Sequence, residues 1–243
     1  MDLTIDIGNT ACKYFLFEEG QIVAHGSEMG HNLSGLLDWL DGTLPQRAII
    51  CSVVDLPQEA RESINALPCP VLHFNHTTPV PIKNCYRTPA TLGLDRLAAA
   101  VGAWAQHQGK PLLIIDAGSC ITFDFVSPQG EYLGGNIAPG LHARLQSIGD
   151  YFPRLPLVDA EGDVPALGYD TTTAIRAGAI EGIRHEIEGY IHHFRQKYED
   201  LLVFLTGGDH FCFDETTKSI IFADQFLVAR GLHCILGYTQ TKK

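Results

Sequence analysis

The sequence predicts an α/β protein built from two related lobes, each containing a mixed β-sheet flanked by helices. Two observations predict this class. A hairpin of the form strand, Asp-x-Gly turn, strand occurs near residue 6 and again near residue 116. Each copy is followed by short apolar strands that alternate with helical segments, which is the pattern of an α/β chain. We expect the first lobe to span residues 1–110 and the second to span residues 111–243.

The first lobe begins with a three-stranded meander. Short apolar runs separated by Gly-Asn and Glu-Glu-Gly turns predict strands at 3–7, 12–17 and 21–24. Helical spacing predicts a helix at 33–44, and a β-branched run predicts a buried parallel strand at 48–54. We also expect a helix at 58–67 and a strand at 71–74. An irregular proline-containing segment should follow at 77–89, and an alanine-rich helix at 97–107.

The second lobe repeats the opening and then departs from it. Strands are predicted at 112–115, 122–126 and 131–133, followed by a glycine loop at 134–140. A polar loop is expected at 159–170, and a long amphipathic helix at 171–198. We also expect a helix at 141–148 and a buried strand at 201–205. A closing helix is expected at 223–236, and a frayed tail at 239–243.

The two openings align without a gap when residues 3–23 are shifted by 110 positions. The identical residues include the acid and the turn glycines, and six pairs match: Leu3/Leu113, Ile5/Ile115, Asp6/Asp116, Gly8/Gly118, Phe15/Phe125 and Gly20/Gly130. Two interpretations are open, an internal duplication or two hairpins that merely look alike. We favour duplication, because the identities fall where the structure is most demanding.

Composition excludes several function classes. The 243 residues carry 28 acidic and 17 basic side chains, a formal net charge of −11, which disfavours binding to nucleic acid. Seven cysteines without a Cys-x-x-Cys pair are interpreted as reduced residues, with no zinc site. No apolar run approaches the roughly 20 residues of a membrane helix, and the N-terminus lacks a signal-peptide pattern. We therefore expect a cytoplasmic protein without a membrane partner.

The turn Asp6-Ile7-Gly8-Asn9-Thr10 has the properties of a phosphate-binding turn. Small residues after a strand expose backbone N–H groups, and Lys13 adds a positive charge nearby. A carboxylate at the strand end is compatible with phosphate when Mg²⁺ and its waters lie between them. The alternative is a plain hairpin turn, and it is the better interpretation if this turn is taken alone.

The second copy, Asp116-Ala117-Gly118-Ser119, strengthens the phosphate interpretation. Ser119 offers a hydroxyl and backbone donors, and Asp116 adds a second carboxylate for a cation. A glycine pair at Gly207-Gly208, after a predicted buried strand, allows a flat group such as adenine or ribose to approach the backbone. A simple strand-to-helix turn remains an equal alternative for that pair.

Asp95-Arg96 stands before a predicted helix. Asp95 has two possible roles, an N-cap of that helix or a general base for a substrate hydroxyl that attacks the γ-phosphate. Arg96 lies near the positive end of the helix dipole, which is unfavourable for a cation. We therefore expect Arg96 to have an anionic partner.

Taken in order, these segments resemble the type III pantothenate kinases, members of the actin-like ATPase superfamily with a duplicated ribonuclease-H-like fold. The family pattern Asp-x-Gly-Asn-Thr-x-x-Lys/Arg stands at residues 6–13, and Tyr-x-x-Pro-x-x-Leu/Val-Gly-x-Asp-Arg stands at 86–96. Asp-Ala-Gly-Thr-x-x-Thr stands at 116–122, with Ser119 in place of the usual Thr. The family's Gly-Gly-x-Ile-x-Pro-Gly and Gly-x-x-Thr stand at 134–140 and 168–171.

The resemblance implies that the protein uses ATP to phosphorylate pantothenate, the first step of coenzyme A synthesis. It implies Asp95 as the base and a monovalent cation, K⁺ or NH₄⁺, at Asp116, used alongside the Mg²⁺ that the first turn is expected to hold through water at Asp6. It implies a homodimer. The implied ATP-binding residues are Asp6, Ile7, Gly8, Asn9, Thr10, Ala11, Cys12, Lys13 and Ser119. The implied pantothenate-binding residues are Tyr86, Gly93, Leu94, Asp95, Arg96 and Thr171.

Two other functions stay open at this point. A non-catalytic regulator on the same scaffold is disfavoured by the acidic charge and by the intact Asp6, Asp95 and Asp116. Another small-molecule kinase, such as a sugar kinase, would use the same ATP motifs, so only residues 86–96 discriminate against it.

Overall fold

The computed structural model describes residues 1–209 and 218–241 of the chain. The described strands are β1 (Asp2–Ile7), β2 (Ala11–Glu18), β3 (Gln21–Met29), β4 (Arg47–Ser52), β5 (Val71–His73), β6 (Lys83–Asn84), β7 (Leu112–Ala117), β8 (Cys120–Val126), β9 (Glu131–Pro139), β10 (Leu202–Gly207) and β11 (Ile221–Ala223). The described α-helices are α1 (Leu36–Leu40), α2 (Gln58–Asn65), α3 (Leu94–Gln106), α4 (Leu141–Tyr151), α5 (Thr171–Lys197) and α6 (Leu227–Thr241).

The chain divides into two compact units that are not contiguous in sequence. The first unit takes in residues 1–109, 126–133 and the described part of 226–243, and the second takes in 110–125 and the described part of 134–225. The last helix, α6, therefore packs with the N-terminal elements. A division into lobes at residue 110 stays a prediction.

The first unit contains a five-stranded sheet in the order β3-β2-β1-β4-β5. β1 is antiparallel to β2 and parallel to β4, as expected for a hairpin followed by a helical crossover. Apolar side chains of β1, β2 and β4 pack with α1 and α2 into one core, which includes Leu3, Ile5 and Leu36.

The second unit contains strands in the order β11-β10-β7-β8-β9. β7 is parallel to β10, and β10 is parallel to β11. One face is covered by α5, whose Ile183, Ile187 and Ile191 join the core formed by β7 and β8. This spacing of four residues is what an amphipathic helix needs to keep one face on a sheet.

The two sheets repeat the same arrangement, and this confirms the predicted duplicated fold. β1 and β7 begin and end 110 residues apart, as do β3 and β9. Strand order also matches, since β3-β2-β1-β4-β5 corresponds to β9-β8-β7-β10-β11. The turns before β3 and β9 each use a glycine with positive φ, Gly20 at 80° and Gly130 at 75°.

Several predicted elements differ in type or extent from the structure; α1 is limited to Leu36–Leu40, for example, and β3 extends to Met29. Residues 134–139 continue β9 instead of forming a loop, because β9 pairs with β8 and lies near the edge of its sheet, where Gly and Pro are tolerated. β6 crosses the segment predicted to be irregular, and it pairs with Glu131 and Tyr132. α6 runs to Thr241, through the predicted tail, while residues 242–243 lie outside the described residues.

Helices α3 and α6 approach each other closely. A Cβ atom at Gly231 would lie 1.8 Å from the carbonyl oxygen of Ala98, and one at Gly102 would lie 2.3 Å from that of Leu227. Only glycine permits this backbone contact, so the two glycines set the position of α3 against α6. In the described ranges 1–209 and 218–241, no helix has both the length and the apolar character needed to cross a membrane.

Candidate active site

The first phosphate-turn candidate joins β1 to β2 and is held by contacts on both sides. The Gly8 N–H donates to the Ala11 carbonyl at 3.1 Å, and the Gly30 N–H donates to the Thr10 carbonyl at 3.0 Å. Asn9 and Thr10 are exposed, and a Cβ added at Gly8 would meet only the Ala11 carbonyl, at 3.5 Å. The backbone of the turn is therefore held by hydrogen bonds, while its Asn9 and Thr10 are accessible to a ligand, as a phosphate-binding turn requires.

Asp6 lies in a row of side chains that crosses three strands. It is opposite Lys13 in the antiparallel pair β1–β2 and opposite Cys51 in the parallel pair β1–β4. Residues opposite each other in a pleated sheet project from the same face. Lys13, Asp6 and Cys51 therefore share one face, with the cation beside the carboxylate and the turn.

Asp95 also reaches this face. Burial raises the pKa of the Cys51 thiol well above its ordinary value, and the negative charges of Asp6 and Asp95 raise it further. The charges of Asp6 and Asp95 therefore both act on this one buried sulfur. The structure thus brings together Asp6 of the predicted ATP turn and Asp95 of the predicted acceptor segment.

The position of Asp95 on α3 corrects the predicted helix start. α3 begins at Leu94, with Gly93 as an N-cap that lacks a side-chain bond, so Asp95 lies inside the first turn. Its Oδ1 accepts the Arg96 N–H at 2.8 Å, which satisfies one of the helix's unpaired amide groups. A Cβ at Gly93 would lie 2.5 Å from that same oxygen, so a larger residue there would displace the carboxylate.

Tyr86 and Arg96 are held in the first unit near the same segment. The Tyr86 N–H donates to Asn84 Oδ1 at 2.9 Å, and its ring lies 6.1 Å from the ring of the fully buried Tyr132. Arg96 is 7% exposed, although it is the cation nearest the start of α3. A cation is that deeply buried only when anionic or carbonyl oxygens surround it.

The second phosphate-turn candidate, in the second unit, repeats the burial pattern of the first. Asp116 is half-buried, Ala117 is buried and Ser119 is exposed, as Asp6, Ile7 and Asn9 are in the first copy. A Cβ at Gly118 would meet only Asp116 Oδ1, at 4.0 Å, so the space above this turn is also open.

The second turn is tied down from beneath by close backbone contacts. The Gly140 N–H donates to the Ser119 carbonyl at 3.2 Å, and the Asp209 N–H donates to the Ala117 carbonyl at 3.0 Å. Gly207 has φ of 103°, and a Cβ there would lie 2.1 Å from the Ala117 carbonyl oxygen. The first glycine of the Gly207-Gly208 pair therefore serves backbone packing against β7. Within residues 1–209 and 218–241, no atom lies within 4 Å of a Cβ placed at Gly208.

Thr171 is the first residue of α5 and is exposed. Asp170 caps this helix through a capping box with Thr173, and hydrogen bonding from the Thr173 N–H lowers the pKa of the Asp170 carboxyl. A Cβ at Gly168 would lie 2.3 Å from the Cα of Ala174, so the Gly-x-x-Thr segment needs glycine for its approach to the helix.

Thr171 lines a pocket of about 580 Å³ in the second unit, together with apolar residues of α4 and α5. The other lining residues are Arg144, Ser147, Ile148, Leu155, Ala174, Ile175, Gly178 and Ala179. The pocket offers a hydroxyl and a guanidinium on an apolar wall, which suits a small ligand with both polar and branched apolar parts.

Two of the predicted ATP-binding residues can act only through their backbone. The side chains of Ile7 and Cys12 are fully buried in the core of the first unit. The Cys12 thiol donates to the Gly30 carbonyl at 3.2 Å, and burial raises its pKa to about 11. Ala11 is half-buried and contributes its carbonyl to the turn.

The open turns and their carboxylates fit the groups that the motifs imply. Mg²⁺ prefers oxygen ligands and keeps several waters, so one carboxylate plus phosphate oxygens is an adequate set. Among the described residues there is no cluster of three or more His, Cys, Asp or Glu side chains able to hold a metal without such a ligand. The carboxylate of Asp6 in the first unit, and separately that of Asp116 in the second, each fit a cation that also takes phosphate or water oxygens as ligands.

Sequence reasoning did not identify Cys51, Arg144 or Arg176. The partners of Arg176 are the carbonyls of Asp159 and Asp163, which it holds at 3.0 and 3.3 Å. Arg144 bonds Pro139 and Glu186. The sequence around a single arginine on an amphipathic helix does not indicate such contacts. The pairing of Asp6 with Cys51, in contrast, can be predicted once β1 and β4 are assumed to be parallel neighbours.

The duplicated fold and the two candidate phosphate turns are typical of one class of protein, the actin-like kinases that use ATP. The family model described as "Type III pantothenate kinase" matches residues 2–193. The type III pantothenate kinase of Bacteroides fragilis is 50% identical over 238 residues, which cover 98% of each chain. The chain therefore belongs to the type III pantothenate kinase family.

Solved structures agree on the fold. A Campylobacter jejuni protein assigned to the Baf family of transcriptional activators superposes with a TM-score of 0.61 at 22% identity, over 98% of this chain and 99% of that one. MreB5 of Spiroplasma citri, solved with ADP, gives a TM-score of 0.54 at 8% identity, over 99% and 98%. At these identities the likeness concerns the fold alone.

Proposed function

We propose that the protein transfers the γ-phosphate of ATP to the primary hydroxyl of pantothenate and so forms 4′-phosphopantothenate, the first step of coenzyme A synthesis. Family membership supports the substrate pair. The observation that supports the chemistry is that Asp6 lies opposite Cys51 on β1 and β4, while Asp95, fixed by the Arg96 N–H, acts electrostatically on the same thiol. One carboxylate belongs to a phosphate turn and the other to the first turn of α3, as phosphoryl transfer to an alcohol requires.

Asp95 is the general base in this proposal. Its carboxylate accepts the proton of the pantothenate hydroxyl while that oxygen forms a bond to the γ-phosphorus, and the bond from phosphorus to the ADP oxygen breaks. The Arg96 N–H bond fixes one oxygen of Asp95 and so orients the other. Arg96 binds the pantothenate carboxylate, and Tyr86, Gly93 and Leu94 are the other pantothenate-binding residues of the first unit. In the second unit, Thr171 is the residue proposed to bind pantothenate.

The two turns bind the nucleotide. Backbone donors of Asn9, Thr10 and Ala11, supported by the backbones of Ile7, Gly8 and Cys12, hold phosphate oxygens, and Lys13 neutralises charge on the face it shares with Asp6. Ser119 donates from the second turn, and Gly208 lies beside adenine or ribose. Mg²⁺ at Asp6 supplies charge neutralisation when bound, and Asp116 binds K⁺ or NH₄⁺.

We further propose that the protein is a cytoplasmic homodimer that binds neither nucleic acid nor membrane. The last residue of α4 and the segment between α4 and α5 support an interface, because large apolar side chains there face solvent. Tyr151 is 80% exposed, Leu167 is 87% exposed and Tyr169 is 69% exposed. Apolar groups exposed together in this way mark an interaction surface.

A coupled assay of ADP release tests the function. Purified protein with Mg²⁺, K⁺ and ATP is expected to release ADP only when pantothenate is added, and mass spectrometry should find phosphopantothenate. A panel of sugars and other small alcohols serves as the comparison. Release with a sugar and not with pantothenate would identify a different kinase of the same superfamily, and salt-sensitive retention on DNA would favour a regulator.

A further inference from the structure

We propose that Arg144 is a positioning residue for the phosphate-binding turn Gly118-Ser119, and that it acts through the peptide bond between Pro139 and Gly140. This inference rests on the proposed function of that turn. Arg144 lies on α4 in the second unit, and every contact used below is within that unit.

The two halves of one peptide unit hold the two partners. Arg144 Nε donates to the Pro139 carbonyl at 2.8 Å, and the Gly140 N–H donates to the Ser119 carbonyl at 3.2 Å. That carbonyl and that N–H belong to the same planar, trans peptide group, so they point in opposite directions and turn together. Fixing the oxygen with the guanidinium therefore fixes the direction of the N–H that holds Ser119.

Close packing makes the turn sensitive to this peptide. A Cβ at Gly140 would lie 2.0 Å from the Gly118 carbonyl oxygen and 2.8 Å from that of Ser119. The backbone of Gly140 thus lies directly under the turn, with no side chain between them. A small rotation of the 139–140 peptide moves the Ser119 carbonyl, and with it the Cys120 N–H, which belongs to the same rigid peptide unit.

Arg144 has no evident reason to be on this helix other than these contacts. It lies at the fourth residue of α4, close to the positive end of the helix dipole, where a cation is unfavourable. Its Nη2 donates to Glu186 on α5, and both side chains are about one-quarter exposed. Glu186 offsets the dipole effect and orients the guanidinium plane toward Pro139.

The same side chain also lines the pocket that contains Thr171. Arg144 therefore stands between the ATP turn and the acceptor pocket of the second unit. A positioning role predicts a defect in nucleotide binding, whereas direct contact with pantothenate predicts a defect in pantothenate binding only.

The test compares the variants Arg144→Gln, Arg144→Lys, Glu186→Gln and the double variant Arg144→Gln/Glu186→Gln with wild type. Arg195→Gln, at an exposed arginine in the last turn of α5, is the matched control. The readouts are KM for ATP, KM for pantothenate, the Kd of ADP by calorimetry, and Tm.

We expect Arg144→Gln to weaken ADP binding and to raise KM for ATP by about tenfold, which is the loss of one charge-assisted hydrogen bond. Arg144→Lys and Glu186→Gln should show smaller shifts in the same direction. The double variant should be no worse than Arg144→Gln, because both changes remove the same orientation of the 139–140 peptide.

The proposal would be overturned if Arg144→Gln lowered only Tm and left ADP affinity and KM for ATP within twofold of wild type. The hydrogen bond from Arg144 to Pro139 would then contribute to stability alone. A rise confined to KM for pantothenate would also overturn it. If Arg144→Gln fails to fold, Arg144→Lys and Glu186→Gln decide by the same readouts. Absence of pantothenate turnover in the wild type would refute the proposed function, while ADP binding would still test Arg144.

Discussion

Asp6 and Cys51 lie opposite each other on the parallel strands β1 and β4, and the Cys51 thiol is fully buried beside the carboxylates of Asp6 and Asp95. A small, uncharged side chain thus lies at a buried position where the charges of two acids act. A third carboxylate at this position must be buried without a cation or repel its neighbours.

We therefore expect Cys51→Asp to lower the free energy of unfolding by roughly 3 kcal/mol. Cys51→Ala, which removes only the sulfur, should cost about 1 kcal/mol. Urea unfolding at pH 7.5 measures both. Equal stabilities of the two variants would show that the carboxylates do not face this position.

The contact between α3 and α6 predicts a paired effect on stability and activity. Gly231→Ala places a methyl group 1.8 Å from the Ala98 carbonyl oxygen, so α3 must move. We expect a loss of about 2–3 kcal/mol and a lower kcat, because α3 begins next to Asp95. Gly237→Ala on the same helix meets nothing within 4 Å and should raise stability by about 0.5–1 kcal/mol.

The cluster of Asp2, Arg47 and His233 predicts how stability depends on pH. Arg47 pairs with both oxygens of Asp2, at 2.7 and 2.6 Å, and His233 Nε2 lies 3.0 Å from Asp2 Oδ2. Burial lowers the pKa of His233 below its ordinary 6.5, although the Asp2 charge acts in the opposite direction. Burial raises the pKa of Asp2, but hydrogen bonding and charge from Arg47 outweigh it and leave that pKa lowered.

Proton linkage gives the direction in which stability changes with pH. The unfolded chain protonates His233 more readily than the folded chain does, so stability should fall as pH drops below about 6.5. The Asp2 contribution is present above its unfolded pKa and is lost as pH falls through its folded pKa. Urea midpoints at pH 7.5 and 5.5 are expected to differ less in His233→Gln than in wild type or in the exposed control His76→Gln. An unchanged difference in His233→Gln would contradict this account.

The exposed cysteines report on the second turn. Cys120 directly follows Ser119 and is exposed, as is Cys85, whereas Cys12 and Cys51 are buried with raised pKa values. Iodoacetamide should label Cys120 and Cys85 but should not label the buried Cys12 and Cys51. ATP should slow labelling of Cys120 without changing that of Cys85, as read by peptide mass spectrometry. Equal slowing at both sites would argue against nucleotide at the Ser119 turn.

The fold was largely predictable because its signal is local. The Asp-Gly hairpin with its 110-residue repeat, and the alternation of strands and helices, follow from turn residues and periodicity. Residues 134–139 were not predictable as a strand, because pairing with β8 overrides the weak strand preference of Gly134, Gly135 and Pro139.

The candidate site was predictable only in part. Each motif is a short contiguous stretch of sequence, so Asp6, Asp95 and Asp116 could be selected as candidate site residues from the sequence alone. Cys51 depends on strand register, and the pairing of Arg144 with Glu186 joins residues 42 positions apart. Contacts of this kind are set by tertiary packing and leave no local pattern.

Formation of phosphopantothenate by Asp95→Asn, at saturating ATP and pantothenate, is the most direct test of the central claim. Asn keeps the size of the side chain and an oxygen for the Arg96 N–H, but it cannot accept a proton from the substrate hydroxyl. We expect kcat to fall about a thousandfold, within the usual range for loss of a general base, while the Kd of ADP stays close to wild type. A variant that turns over at a near-wild-type rate would contradict the assignment of Asp95 as the base.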